Sequence, residues 1–213
     1  MNWNISRLVW ALAGLTLLVS CAPYVAVGGK YTASTGDFEV DLPQGWRKHE
    51  SQFDNDRASI MILEDLRKQR ELKSDVLRIT RDGLTLQRIA IGKMTAETEF
   101  SHTKKQITKD SLAQEVAEVI LDNFRSNPEL QNQQVVENIP VKIAGYPGFK
   151  LIYTYKTKQG LTVKVAQYGL IVTSPITSFY YLIYEAPDQH YFAKDLPTFE
   201  RLKETFTLKV LSG

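Results

Sequence analysis

The feature that most restricts the fold is a run of four strand-like segments in the second half of the chain. They are rich in aliphatic and aromatic residues and comprise Val135–Ile143, Gly148–Thr157, Leu161–Val172 and Ser178–Glu185. The connections between them contain only three to five residues. Parallel strands need a crossover of about a dozen residues or more, so strands joined this closely are antiparallel neighbours. The run therefore predicts an antiparallel meander.

Two segments with helical periodicity flank this run. Asp110–Arg125 places a wide apolar stripe on one face, Asp110 or Ser111 can cap its start, and Asn127-Pro128 ends it. Pro197–Phe206 repeats the pattern with aromatic and leucine side chains. The width of the first stripe predicts a helix that packs on a sheet.

Further strand-like segments lie outside the meander. They are Asp37–Leu42, Ala58–Leu63, Val76–Arg81, Leu84–Ile91 and Thr207–Val210. Asp82-Gly83 suits the turn of a hairpin. Pro43–Gly45 predicts a turn that ends the first strand and folds Trp46 back over it, so Trp46 should be at least half buried. The sum is an α+β fold in which an antiparallel sheet of about six to seven strands is sandwiched by helices.

Residues 1–20 have the properties of a secretory signal peptide that is removed from the mature protein. Leu8–Val19 contains twelve residues and no charge, and Arg7 precedes it. Twelve helical residues span ~18 Å, whereas the hydrocarbon core of a bilayer is ~30 Å thick. The run is therefore too short for a comfortable membrane anchor and fits a cleaved signal.

The end of that run, Leu18-Val19-Ser20-Cys21, resembles the lipobox of bacterial lipoproteins. The resemblance implies a diacylglyceryl group on the Cys21 sulfur, cleavage before Cys21 and acylation of the new amine. Cys21 is the only cysteine, so the chain offers it no disulfide partner. The alternatives are an ordinary signal peptide that contains a cysteine, and a buried anchor helix. Ala22 rather than Asp follows the cysteine, which in that family favours the outer membrane over the inner one.

The mature chain divides into a short linker and one domain. Residues 21–36 contain the lipidated cysteine and a stretch rich in Gly, Ser and Thr, which predicts a flexible tether with a reach of ~20 Å. Residues 37–213 contain no internal repeat and no second linker, so they are predicted to form a single globular domain.

Residues 38–46, Phe-Glu-Val-Asp-Leu-Pro-Gln-Gly-Trp, resemble the opening strand and turn of the PsbP-like superfamily. The later order of elements resembles it too, with a long helix, a Gly145–Gly148 turn, long strands and a terminal helix that ends in Phe206. The resemblance implies an antiparallel sheet between helices. It also implies a non-enzymatic binding or assembly factor, since most members of that superfamily are of this kind. The lipobox departs from the plant member, so a photosynthetic role does not transfer.

No constellation in the sequence points to catalysis, a metal or nucleic acid. His49, His102 and His190 lack the spacing of metal ligands, and Asp54-Asn55-Asp56 lacks the glycine that an EF-hand loop requires. Nucleophile and phosphate-loop motifs are absent. The formal net charge of +2 offers no general field for nucleic acid. We expect no cofactor besides the diacylglyceryl and N-acyl groups on Cys21.

The tyrosines are the candidate contact residues. Eight of the ten lie between residues 146 and 191. Six of them form the predicted contact patch: Tyr153, Tyr155, Tyr168, Tyr180, Tyr181 and Tyr184. Tyrosine is enriched at protein interfaces, but aromatic residues also favour strands and sheet cores. Strand alternation predicts that one set packs on a helix while the other stays open. Lys104, Lys105 and Lys109 form either a contact with anionic headgroups or a solvated loop.

Together these features predict a lipoprotein of the bacterial envelope that holds a PsbP-like binding or assembly module at a membrane and engages a protein partner. A small-ligand or lipid carrier with an apolar pocket between sheet and helix is the alternative. An enzyme of unknown class is the third possibility. Open exposed tyrosines would favour the binding module, and an enclosed cavity would favour the carrier.

Overall fold

The structure is a computed structural model that describes residues 24–49, 77–84, 86–97, 99–173 and 177–209. Nine strands and two α-helices occur within these residues. The strands are β1 Tyr24–Thr32, β2 Phe38–His49, β3 Leu77–Thr80, β4 Arg88–Thr95, β5 Gln131–Ile143, β6 Tyr146–Lys156, β7 Thr162–Val172, β8 Ser178–Pro187 and β9 Thr207–Leu208. The helices are α1 Ala113–Arg125 and α2 Ala193–Thr205, and an irregular turn, Asp188–Phe192, precedes α2.

The strands form one antiparallel sheet in the order β1-β2-β3-β4-β8-β7-β6-β5, with β9 paired to β2. The predicted meander is confirmed as β5 to β8, and the predicted hairpin as β3 and β4. The predicted count of six to seven strands is too low. One reason is that residues 24–32, predicted to be part of a flexible tether, form β1 by pairing with β2.

The two faces of the sheet are buried by different elements. On one face α1 packs on β5, β6 and β7, with Val116, Ile120 and Phe124 in contact with the sheet core. On the other face α2 packs on β2 and β8 through Phe199 and Leu202. Successive residues of β8 alternate between the two cores, as a strand buried on both sides must. This arrangement confirms the predicted sandwich in outline.

Strand β2 does not end at Pro43–Gly45 as predicted. The three residues instead form a bulge opposite Gly28, and Gly45 supplies the positive φ of 79° that the irregular backbone needs. Trp46 continues the strand and is only 2% exposed, which confirms its predicted burial.

The bulge turns the first half of β2 across the α2 face of the sheet. In a flat sheet Asp37 would lie roughly 45 Å from Lys93 along the strand direction, given a rise of about 3.3 Å per residue. The Lys93 Nζ atom is instead 2.8 Å from the Asp37 carboxylate. Phe38 correspondingly packs against Tyr180 and Phe206.

Both predicted helices are confirmed, but each begins at a different residue from the one predicted. Helix α1 begins at Ala113 rather than Asp110, because the Glu115 carboxylate accepts the Leu112 backbone N–H at 2.8 Å and caps the first turn. Helix α2 begins at Ala193, one turn before Pro197.

Neither α1 nor α2 is long and apolar enough to cross a bilayer, and the same holds for every helix within the described residues. Several predictions lie outside the described residues: the signal peptide, Cys21, strand Ala58–Leu63 and Asp54-Asn55-Asp56.

Candidate interaction surfaces

The predicted tyrosine contact patch is wrong, because all six rings are buried. Their exposed fractions range from 0% to 6%: Tyr153, Tyr155, Tyr168, Tyr180, Tyr181 and Tyr184. Strand alternation does divide them between the two faces, with Tyr181 facing α1 and Tyr180 and Tyr184 facing α2. Because each face is covered, neither set stays open. The rings are core residues.

Their hydroxyl groups organise polar clusters inside those cores. On the α1 face Tyr155 donates to Glu185 Oε1 at 2.8 Å, and Arg88 contacts the same oxygen at 3.0 Å. Tyr153 donates to Gln167 at 3.2 Å. Burial raises the pKa of Glu185 above its usual 4.5, although the charge of Arg88 and these hydrogen bonds act against the rise. The cluster is buried, so it links β4, β6, β7 and β8 rather than presenting a binding site.

A second buried cluster fastens the β1–β2 hairpin to the sheet. Asp37 accepts hydrogen bonds from Thr35 at 2.5 Å, Lys93 at 2.8 Å and Tyr180 at 3.1 Å. Burial alone would raise the pKa of Asp37, but the hydrogen bonds and the charge of Lys93 outweigh it and hold the pKa below 3.8. Asp37 is therefore a carboxylate at neutral pH and holds the hairpin against β4 and β8.

The hydroxyl group of Tyr168, one of the predicted contact residues, reaches a partly exposed side chain on α2. It donates to Glu200 Oε2 on α2 at 2.7 Å. Lys150 on β6 lies 3.4 Å from Glu137 and 4.0 Å from Glu200. Ile139 lies beside this group and is 42% exposed. We call Glu137, Ile139, Lys150 and Glu200 the charged strip.

The sheet has two outer edges within the described residues, and β5 forms one of them. This edge is irregular. The register with β6 shifts twice, between Gln131 and Gln134 and between Val135 and Glu137. Pro140 has no backbone N–H, and a proline inside a paired strand directs its nitrogen toward the open side. Bulges and proline are features that prevent another strand from pairing with an edge.

Strand β1 forms the other edge, and its first half is regular. Tyr24–Val27 pair without interruption with Trp46–His49 of β2, and the register shifts only after Val27. Residues 24–27 contain no proline, glycine or charge, and Val25 is 46% exposed. We call Tyr24–Val27 the β1 edge. Within the described part of the chain, β1 is the last strand of the sheet on this side.

Two basic side chains flank the β1 edge. Arg47 lies opposite Ala26 and Lys48 lies opposite Val25, so the two project from opposite faces of the sheet. Residues 24–27 and 46–49 contain no acidic residue. Arg47 is exposed and makes no ion pair with any described residue, whereas the Lys48 ammonium lies 5.8 Å from the centre of the Tyr31 ring.

Two lysines of the predicted cluster form ion pairs within the domain. Lys104 pairs with Glu99 at 3.2 Å, and Lys105 pairs with Asp122 at 2.5 Å.

The three histidines lie apart from one another. The backbone N–H of His102 donates to Asn123, His190 lies in the turn before α2, and His49 ends β2. Among the described residues no three His, Cys, Asp or Glu side chains are grouped so as to hold a metal ion.

Sequence reasoning missed both the β1 edge and the charged strip. A signal for the first existed, since Tyr24–Val27 contains β-branched and aromatic residues. The strip had no local signal, because Glu137, Lys150 and Glu200 come from three separate elements that only the tertiary fold brings together.

No family model matches the sequence, and no curated protein matches it. Solved structures do match over most of the chain. CyanoP, the cyanobacterial PsbP of Synechocystis sp. PCC 6803, has 13% identity and a TM-score of 0.51, with 91% of this chain and 99% of that chain covered. A mutant of Mog1 has 10% identity and a TM-score of 0.51, with 87% and 98% covered.

LpqN of Mycobacterium tuberculosis, described as involved in cell envelope biogenesis, has 15% identity and a TM-score of 0.46, with 88% and 91% covered. At that TM-score the likeness to LpqN carries no argument. Mog1p of Saccharomyces cerevisiae is described as a Ran-binding protein. At these identities the likeness to CyanoP and Mog1 concerns the fold alone. The chain has a PsbP-like and Mog1-like fold, in which a mostly antiparallel sheet packs against two helices.

Proposed function

We propose that this protein is a lipid-anchored, non-enzymatic binding or assembly module of the bacterial cell envelope. Acyl chains on Cys21 would hold it at a membrane, the outer one rather than the inner one, and the folded domain would engage a protein partner there. The lipobox-like residues Leu18–Cys21 support the anchor. The fold shared with CyanoP and Mog1 agrees with the PsbP-like resemblance of residues 38–46, and that resemblance implies a binding or assembly role.

The observation that carries the proposal is the position of β1. The strand begins at Tyr24, three residues after Cys21. Three residues span at most ~11 Å, so an acylated Cys21 would hold the domain directly at the headgroups rather than on a long tether. Such a domain would meet its partners at the membrane surface.

The anchor is tested on protein isolated from its host. The N-terminal peptide should carry diacylglyceryl and acyl groups on Cys21, and the protein should partition into detergent, since each buried CH₂ contributes ~0.8 kcal/mol. Cys21→Ser should remain uncleaved or become soluble. A free thiol on Cys21 in the native host would overturn the lipoprotein assignment.

The partner is tested by site-specific photo-crosslinking in intact cells. The charged strip offers Ile139 beside Glu137 and Glu200, which suits a partner segment with basic and aliphatic side chains. A photoreactive residue at Ile139 should give one discrete crosslinked protein, and Glu137→Gln with Glu200→Gln should weaken it. The same probe at Leu161, which is 46% exposed, is the matched control. Equal crosslinking from both positions would argue against a specific contact.

A further inference from the structure

We propose that the β5–β6 hairpin binds an amphipathic helix of the protein partner on its α2 side, and that a basic residue of this helix pairs with Glu137 and Glu200. This inference rests on the proposed function, since it assumes that the domain has a protein partner. It goes further by naming the surface that binds, the secondary structure of the partner segment and the charge that this segment carries.

The first step is that α1 and α2 cover different strands. On one face α1 packs on β5, β6 and β7, whereas on the other α2 packs on β2 and β8. Strand β5 is three strand spacings or ~14 Å from β8, and a helix is only ~10–12 Å across, so α2 does not extend over β5. Five side chains on the α2 side of β5 and β6 are exposed or partly exposed: Glu137, Ile139, Val141, Lys150 and Thr154. We call these five residues the open face.

The second step is the size of the open face. Two adjacent strands are ~10 Å wide, which matches the width of one helix. From Glu137 to Val141 the face is ~14 Å long, or two to three helical turns. One side of α2 forms its wall, because Glu200 accepts the Tyr168 hydroxyl and the Lys203 ammonium lies 5.3 Å from the centre of the same ring. The opening therefore has the dimensions of a short helix packed beside α2.

The third step is that the neighbouring edge disfavours a partner strand. An added strand would pair with the outer side of β5, where Pro140 and two register shifts make a poor template. An amphipathic helix needs no backbone hydrogen bond from the sheet and contacts it through side chains at i, i+3, i+4 and i+7. Ile139 is an exposed aliphatic residue of the open face and offers such a helix an apolar contact.

The fourth step is charge. The Lys150 ammonium lies 3.4 Å from the Glu137 carboxylate and 4.0 Å from the Glu200 carboxylate, so two acids share this one base. Lys203, one turn along α2 from Glu200, pairs with Glu204. An excess of negative charge therefore remains beside Ile139. Complementary charge across an interface favours a basic residue on the partner at this point.

The experiment uses the full chain in its host, with a photoreactive amino acid in place of Ile139 or of Thr154. After illumination, mass spectrometry maps the residues of the partner that are crosslinked. We expect both probes to reach one segment of one protein, at residues that recur every three or four positions and lie within a turn of a basic residue. The same probe at exposed Leu161, outside the open face, is the control and should not reach this segment.

Glu137→Gln with Glu200→Gln tests the predicted ion pair. Glutamine keeps an oxygen that accepts hydrogen bonds, so the fold should be retained. We expect crosslinking from Thr154 to fall about two- to fivefold. Neutralising the mapped basic residue of the partner should have a similar effect with the wild type and no further effect with the double variant. Asp110→Asn with Glu129→Gln, which removes two exposed carboxylates outside the open face, is the charge-matched control and should change nothing.

Four results would overturn the inference: crosslinks that recur at every second residue of the partner, crosslinks from the open face only to this chain or a second copy of it, no crosslink from either probe, or unchanged crosslinking in the double variant. Failure of the proposed function gives other patterns. If only Leu161 captures a partner, the binding role stands and the open face is wrong. If Cys21 carries no lipid, the anchor is wrong, and the crosslinks from the open face are interpreted in the same way.

Discussion

The two edge strands of the sheet, β5 and β1, differ in how readily another strand could pair with them. The β5 edge is long, exposed and irregular, and Pro140 together with two register shifts makes it a poor template for another strand. The β1 edge is short, aliphatic and regular at its start, and it begins three positions after Cys21 in the sequence. One edge is protected by its own backbone, whereas the first half of the other has neither proline nor a register shift. The contrast shows that the backbone features that resist strand pairing are concentrated on β5.

The interior behind each edge reinforces the contrast. Trp46 stands directly behind β1, paired with Val27, and is 2% exposed. Val136 on β5 is 58% exposed and belongs to neither hydrophobic core. The β1 edge is therefore fixed to the α2-face core, although it was predicted to be a flexible tether.

The largest expected effect is that of removing the side chain behind the β1 edge. Trp46→Ala should lower the free energy of unfolding by ~3–5 kcal/mol, because it leaves a cavity in the α2-face core. Urea unfolding followed by circular dichroism measures this. The matched change on the other edge, Val136→Ala, should stay within ~0.5 kcal/mol. Similar losses at both positions would contradict the proposed difference between the edges.

The next effect concerns the attachment of the hairpin that carries β1. Asp37→Asn should cost about 1–3 kcal/mol, since it removes a charged acceptor from Lys93 and Tyr180. The pKa of Asp37 is held below 3.8 in the folded state. Its stabilisation is therefore fully present above pH 3.8 and is lost as the pH falls through the folded pKa.

The measurement for Asp37 is the free energy of unfolding against pH. The wild type should lose stability more steeply below pH 3.8 than Asp37→Asn does, and the two curves should converge in acid. Glu129→Gln, which removes the exposed ion pair with Lys158 just before β5, is the control and should have little effect at any pH. Parallel curves for wild type and Asp37→Asn would show that the Asp37 cluster does not hold β1.

The central sheet and both helices could be predicted because their signals are local. Short connections fix antiparallel neighbours in β5 to β8, and helical spacing fixes α1. Pro43–Gly45 also marked irregular backbone correctly. Whether an irregularity ends a strand or bends it depends on pairing further along the chain, and β1 supplies that pairing. The sequence around Gly28 and Gly29 resembles a linker, and only its pairing with β2 shows that it belongs to a strand.

The candidate site was harder to predict, because exposure is a tertiary property. Alternation correctly placed Tyr180 and Tyr181 on opposite faces of β8. It could not show that α1 covers one face while α2 and the bent half of β2 cover the other. The charged strip and the β1 edge likewise depend on which residues other elements leave uncovered.

A smaller effect is expected from exposing the β5 backbone. Pro140→Thr restores an outward N–H and a β-favouring residue on the edge, so the protein should begin to self-associate at high concentration with less than ~1 kcal/mol change in stability. Light scattering against concentration measures this. Lys142→Thr, on the same edge, is the control. It introduces the same residue and removes a charge, which lowers solubility, but it adds no backbone N–H. A monomer at all concentrations for Pro140→Thr would show that the two bulges alone protect β5.

The smallest expected effect on stability belongs to two lysine substitutions, and these best distinguish the two edges. Val25→Lys and Val136→Lys each place a charge at an exposed edge position, so each should change the free energy of unfolding by less than ~0.5 kcal/mol. Their effects on association should differ. The first half of the β1 edge has no backbone irregularity, so a lysine at Val25 should suppress association through that edge, as edge lysines do in natural sheets. Val136→Lys should change nothing, because the β5 edge is already protected. Light scattering of the two variants beside the parent measures the difference, and equal behaviour of the two would mean that β1 is no better a template for strand pairing than β5.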